Sequence, residues 1–373
     1  MTRIGAAQAA NNALNTLGID QASPVDPFEA IENSGLVLGF KPMKDLLGVI
    51  LPGDPGGVLI NSERPASLQR YTAAHELGHW YLDQDVLRLE TDDTIVGHHP
   101  HDSRELDAQT FAAHFLMPLE LLYSTARRYG IRRGSEVGPE QLYQAARDMH
   151  VSYEAAVRQF VNTKLVSPGN RTELLKARPM LIKRALADGL ALPDPRGDVW
   201  VLDHPDERVS VEAFVGDAIV LRLPERPSTG YRWCVEPSLD SATVHPLRPP
   251  PPSFDDGQAF GGATRTTADV ITMPFTQTHS EVMTLLGDEV SRGPYEPGLT
   301  AVGGTVTRLV AYGAGAPGRE SVRLSEVRPF QPEERVARLE VSALVRGTPA
   351  VEFRRRLIEE FLREEAAVSE WDD

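Results

Sequence analysis

The apolar pattern of this chain changes character once, near residue 200, and that change limits what it can fold into. Before it, apolar residues recur at helical spacing. After it come β-branched runs: Val199 to Leu202, Val209 to Phe214, Ile219 to Leu223, Val306 to Ala311, Ser321 to Val327 and Arg338 to Val345. Gly- and Pro-rich turns separate these runs, the pattern of a β-sandwich. Pro193-Asp194-Pro195-Arg196-Gly197 punctuates the boundary. At 373 residues the chain has room for two or three domains. The expected division is a first domain over 1–190, a linker over 191–205, a sandwich over 206–346 and, over 347–373, a C-terminal amphipathic helix with an acidic tail. The fold class expected is α+β.

Within the first part, helices are expected over 4–16, 25–35, 140–149, 152–164 and 172–188. Strands are expected at 36–39, 49–51 and 58–61. The run Arg70 to Leu82 reads as a helix and contains His75-Glu76-Leu77-Gly78-His79. Residues i and i+4 stand one above the other on a helix. Two imidazoles so placed can occupy adjacent corners of a tetrahedral zinc site. Glu76, next to the first histidine, points beside the metal. There it can take a proton from water whose pKa the metal has lowered. Such a site hydrolyses peptide bonds.

A mononuclear site needs a third protein ligand. Asp85 has the third-ligand spacing of metzincin-like sites, but Leu82 stands where that arrangement turns on a glycine. His98, His99 and His101 sit in a polar loop that no regular element holds. Glu105 and Asp107 lie on a second expected helix, about 104–117, and a rigid helix holds a carboxylate better than a loop does.

Three further stretches accompany the motif: Pro24-Val25-Asp26 and Ile60-Asn61 before it, and Asp107-Ala108-Gln109-Thr110-Phe111-Ala112-Ala113-His114-Phe115-Leu116-Met117-Pro118 after it. Together with Gly48 and Tyr71-Thr72-Ala73-Ala74-His75-Glu76, they resemble the ImmA/IrrE metallopeptidases over roughly residues 1 to 170. The resemblance implies a zincin-like, mostly helical domain with a small sheet. It also implies a zinc cofactor held by His75, His79 and a third ligand at Asp107, and a catalytic Glu76. The family's ligand there is a glutamate, one methylene longer than aspartate, and Glu105 is the alternative. The implied activity is that of a zinc endopeptidase with a narrow protein substrate, often an XRE-type helix-turn-helix repressor cleaved under stress.

The later half also resembles a family, the chagasin-like inhibitors of papain-type cysteine proteases, over roughly 206 to 346. Arg226-Pro227-Ser228-Thr229-Gly230-Tyr231-Arg232-Trp233 looks like the first inhibitory loop, Ala301-Val302-Gly303-Gly304 the second and Arg328-Pro329-Phe330 the third. The resemblance implies an immunoglobulin-like sandwich whose loops take a papain-like cysteine protease as partner, or one reused for recognition or regulation. Arg226 replaces the usual asparagine and Ala301 a usual glycine. The stretch 245–297, with Pro249-Pro250-Pro251-Pro252, reads as an insertion.

The formal net charge of −15, from 38 basic and 53 acidic residues, argues against direct nucleic-acid binding. Arg127, Arg128, Arg132 and Arg133 form a local basic stretch, read as a solvated helix end. A single cysteine, Cys234, expected to be buried in a strand, excludes an internal disulfide and suits a reducing, cytoplasmic setting. No apolar run is long enough to span a membrane. At the C-terminus, Phe353, Leu357, Ile358, Phe361 and Leu362 share a helical face expected to dock on a domain or on a second copy.

Overall fold

The computed structural model describes residues 3–51, 53–82, 88–91, 103–203, 208–236, 280–291, 306–328 and 331–369. It opens with α1 (Arg3–Thr16) and α2 (Pro27–Asn33). Asp26 caps α2 by accepting from Phe28 N at 2.9 Å, and Pro27 supplies a preset helical φ in the first turn. A four-stranded sheet follows, in the order β1 (Val37–Lys41), β3 (Gly57–Asn61), β2 (Leu46–Leu51), β4 (Arg88–Thr91). The β1–β3 pair is parallel and the other two pairs are antiparallel. Asn61 closes the β1–β2 connection by donating to Met43 O (2.6 Å) and Leu46 O (2.7 Å).

Helix α3 (Ala66–Leu82) lies between this sheet and α4 (Ser103–Leu116). Small residues let it do so. Ala73 and Ala74 are fully buried, Gly48 of β2 abuts its sheet side and Gly78 meets Ala108 on its α4 side. Helices α5 (Leu119–Arg128), α6 (Pro139–Asp148) and α7 (Tyr153–Asn162) complete the packing behind α4. Arg128, in the basic stretch, closes α5 and pairs with Asp148 at 2.9 Å. The single helix expected over 172–188 is two, α8 (Pro168–Lys176) and α9 (Pro179–Leu186). Pro179 has no N–H and its ring disfavours helical backbone at the residue before it, Arg178 (φ −88°, ψ 120°).

The second part is two four-stranded sheets enclosing one core. One runs β5 (Val199–Asp203), β7 (Ala218–Glu225), β10 (Val306–Ala314), β9 (Met283–Ser291). The other runs β6 (Arg208–Phe214), β12 (Gln331–Arg346), β11 (Gly318–Arg328), β8 (Arg232–Val235). Leu221, Val310 and Tyr312 of the first meet Trp233, Leu324 and Val341 of the second. Val199–Asp203 carries the expected β-branched run Val199 to Leu202 and pairs in parallel with β7. Met283–Ser291, in the stretch 245–297 read as an insertion, is an edge strand on β10. Cys234 of β8 is half-buried. Helix α10 (Pro349–Ser369) ends the described chain. No helix among the described residues is long and apolar enough to cross a membrane.

The two parts share a core, because Val199, Val220 and Ala311 belong to the same buried cluster as Leu142, Ala145 and Ala146 of α6. A polar belt surrounds that contact. Arg147 Nη1 donates to Val199 O at 2.7 Å and its guanidinium lies 4.1 Å over the Trp200 ring. Tyr143 OH donates to Asp198 Oδ1 at 2.7 Å. Asp217 organises the strand ends: it accepts from Asp198 N (2.6 Å), Trp200 Nε1 (2.9 Å) and Phe214 N (2.9 Å), with both oxygens engaged. Burial and the nearby Asp198 carboxylate lift its pKa to about 6, against those three donors, so it is ionised at neutral pH. Asp217→Asn places an NH2 group against a backbone or indole N–H. It should cost about 1–3 kcal/mol, read as a lower denaturation midpoint with an unchanged slope.

Candidate metal centre

Helix α3 brings His75 and His79 to one face, as their spacing predicts, and both are buried. Their rings meet edge to face, with centroids 4.8 Å apart at 84°, and their Nε2 atoms are 3.2 Å apart. Tyr71, one turn earlier, stacks near-parallel on His75 at 6.2 Å. Glu105, in the first turn of α4, completes the group: its Oε2 stands 3.4 Å from His75 Nε2 and 3.5 Å from His79 Nε2.

These distances test whether a metal fits. Donors about 2.0–2.1 Å from a zinc ion and disposed tetrahedrally stand about 3.3 Å from one another. The three edges here, 3.2, 3.4 and 3.5 Å, match one face of such a tetrahedron. Two imidazoles and a carboxylate are a zinc donor set, and one that also accepts Mn²⁺, Fe²⁺ or Co²⁺. Burial alone would raise the Glu105 carboxyl. Hydrogen bonding to His75 and His79, and their charges, outweigh burial and hold it far below the usual carboxylate range. The ionised form is the one that binds a cation.

Among the described residues, the only group of three or more His, Cys, Asp or Glu able to hold a metal is His75, His79 and Glu105. Asp107, to which the resemblance points, is buried but stands outside that group. The reason is helical phase. Two residues along an α-helix turn the side chain by about 200°, so positions 105 and 107 cannot both face α3. Ala108 packs on Gly78, and position 105, one turn back, shares that face.

Glu76 is fully buried beside the first ligand. Its carboxylate lies against the bare backbone of Gly48: a Cβ there would overlap Thr72 Cγ2 and stand 3.0 Å from Glu76 Oε1. The need for glycine at 48 is a packing requirement between strand and helix, which spacing along the chain does not reveal.

The other candidate residues fall elsewhere. Pro227, Ser228 and Thr229 form a short 3₁₀ turn, fastened by Thr229 Oγ1 donating to Arg226 O at 2.7 Å, and Gly230 follows at φ 77°. Trp233 is a core residue, with Nε1 donating to Pro224 O at 3.0 Å. Arg328 lies 4.6 Å over the Tyr231 ring, which joins the first and third loop regions. Asp85, His98, His99, His101, Gly303, Gly304, Pro329 and Phe330 lie outside the described residues.

Residues 32–160 match the family model of the IrrE N-terminal-like domain, a peptidase family, and this match supports a protease. The match runs from the end of α2 into α7 and contains His75, Glu76, His79 and Glu105. No curated protein matches the chain. Similar solved structures include the cysteine protease inhibitor EhICP2 from Entamoeba histolytica, 18% identical with a TM-score of 0.26 over 40% of this chain and 96% of that one. Another is PbICP-C, solved in complex with falcipain-2, 16% identical with a TM-score of 0.24 over 40% of this chain and 98% of that one.

Metal analysis by mass spectrometry separates the two carboxylates. About one zinc per chain is expected in the purified protein. It should be lost in His79→Ala and in Glu105→Ala and kept in Asp107→Ala. Zinc kept in Glu105→Ala and lost in Asp107→Ala would move the ligand to Asp107.

Proposed function

We propose that this chain is a cytoplasmic zinc-dependent endopeptidase acting on a specific protein, an XRE-type helix-turn-helix repressor, with metal ligands His75, His79 and Glu105. The observation that carries this reading is the convergence of three buried ligand atoms at tetrahedral-edge distances, with Glu76 buried beside them. Bound there, a zinc ion would polarise the scissile carbonyl and lower the pKa of water toward neutrality. Glu76 is the general base: its carboxylate takes the proton of the attacking water, then returns it to the leaving amine nitrogen. Gly48 leaves that carboxylate its room, and the Tyr71 ring lies near-parallel to that of His75. The C-terminal sandwich, read as immunoglobulin-like, serves recognition or regulation.

Glu76→Gln keeps size and burial and removes the base. Cleavage of a co-expressed XRE-type repressor, followed by intact mass, should fall by about 10²–10⁴-fold while zinc content stays unchanged. Undiminished cleavage would sink the mechanism, and a repressor left whole by the parent protein would sink the substrate assignment.

A second reading has its own support: Tyr231 and Arg328, from the first and third inhibitor-like regions, are in contact. Two separate segments thus meet at one end of the sandwich, the arrangement a loop wedge for a protease cleft requires. In this reading the chain captures a papain-like cysteine protease. Titrating papain with full-length chain carrying Glu76→Gln decides it. Inhibition at about micromolar concentration or tighter is expected, and undiminished papain activity at a large excess would refute it.

A further inference from the structure

The outer face of the sheet β6–β12–β11–β8 is basic, although the chain as a whole carries −15. Val322, Leu324, Leu339 and Val341 point into the sandwich core, so Arg323, Arg338 and Glu340 between them stand on the outside. Two glutamates there hold two arginines each. Glu340 meets Arg323 Nε at 3.3 Å and Arg208 Nε at 3.6 Å. Glu236 meets Arg335 Nη1 and Arg338 Nη2, both at 3.1 Å. The side chains of Glu236 and Glu340 are 15 and 26% exposed, and those of the four arginines 42 to 87%. The anions are sunk beneath the cations, and each offsets half of the charge it holds. Arg319, exposed on the same face opposite Leu344, forms no ion pair among the described residues. Arg346 and Glu212 neutralise each other nearer the helical part.

Charge and shape indicate what fits this face. Each guanidinium meets its glutamate through one nitrogen, which leaves N–H groups to grip a second carboxylate. From Arg319 to Val327, which stands opposite Arg335, β11 runs about 26 Å at ~3.3 Å per residue. An extended segment of about eight residues covers that length. Nucleic acid is the poorer match. Phe214, the aromatic side chain on this face among the described residues, is taken up by His150, so no ring is left on which bases could stack. A short acidic segment meets the basic face alone, whereas a long polyanion also meets the negative remainder of the chain.

We propose that this face docks an extended, acidic segment of a partner protein, its carboxylates received by Arg208, Arg323, Arg335 and Arg338. Such docking gives the recognition role assigned above to the sandwich a partner chemistry, and it needs no metal at His75, His79 and Glu105.

Fluorescence anisotropy of a fluorescein-labelled octaglutamate peptide, titrated with the full chain, tests this. A Kd of about 10–100 μM is expected at low salt, weakening several-fold as salt rises from about 50 to 300 mM. Arg208→Gln, Arg323→Gln and Arg338→Gln should each weaken binding about threefold, and together they should abolish it. Arg184→Gln, an equal change of charge at an exposed position of α9, should leave it unchanged. Arg208 is 87% exposed, so its variant folds whatever becomes of the other two. Absence of binding at about 300 μM chain would overturn the proposal. Binding indifferent to the three substitutions, or weakened as much by Arg184→Gln, would overturn it as well. So would tighter binding of a labelled eight-nucleotide thymidine strand than of the peptide, in favour of nucleic acid.

Discussion

The close approach of α3 to α4 is the contact on which the candidate metal centre depends. A Cβ on Gly78 would stand 3.3 Å from both Cα and O of Ala108 and 3.2 Å from the Phe111 ring. Backbone meets backbone there, and only small residues allow it. Glu105 lies one turn before Ala108, so the same approach brings its carboxylate within 3.5 Å of both histidines. Gly48 does the equivalent on the sheet side for Glu76. Stacked rings, Tyr81 on Phe111 and Phe111 on Phe115, fix the depth of the helix pair. Two imidazoles and two carboxylates are thereby removed from water together. Buried charge on that scale is costly unless a cation draws it together. A cation bound there, as in the function proposed above, would offset that cost.

The histidine pair was legible in the sequence because its geometry is local: four residues on a helix fix it. The third member of the group was legible only as a choice between Asp107 and Glu105, because it depends on the phase of a second helix against the first. The family resemblance points to Asp107, and the observed phase presents Glu105 to the histidines. Pro179 was plain in the sequence, yet the periodicity on either side of it reads through as one helix. Met283–Ser291 is a strand only because β10 lies beside it. Pairing between distant segments leaves little trace in a segment's own residues, least of all at a sheet edge.

The role of the sandwich is constrained by how it is joined. Arg147 is almost wholly buried, and its donors go to Val199 O, Asp148 and Tyr129 OH, with Trp200 stacked on its face. Without the sandwich it would lose both a carbonyl partner and its aromatic cover, and Tyr143 would lose Asp198. A guanidinium left buried and partly unsatisfied is among the more damaging defects a fold can carry. The parts therefore stabilise one another, and the sandwich is a fixed wall rather than a tethered module.

That wall reaches α3 from behind. Arg70, on α3 between its N-terminus and the metal ligands, is buried and donates to Val25 O and, at 3.3 Å, to His150 O. His150 adopts φ 56° at the turn from α6 to α7, and its ring meets Phe214 of β6 edge-on at 5.4 Å. Burial first, then the neighbouring Arg70 charge, hold this imidazole down to about 3, so it is a neutral packing group at any physiological pH. Three residues thus connect a sandwich strand to the helix that carries His75, Glu76 and His79. Well-packed interiors transmit strain. The seat of β6 and the separation of α3 from α4, on which the distances among His75, His79 and Glu105 rest, are thereby joined by packed contacts.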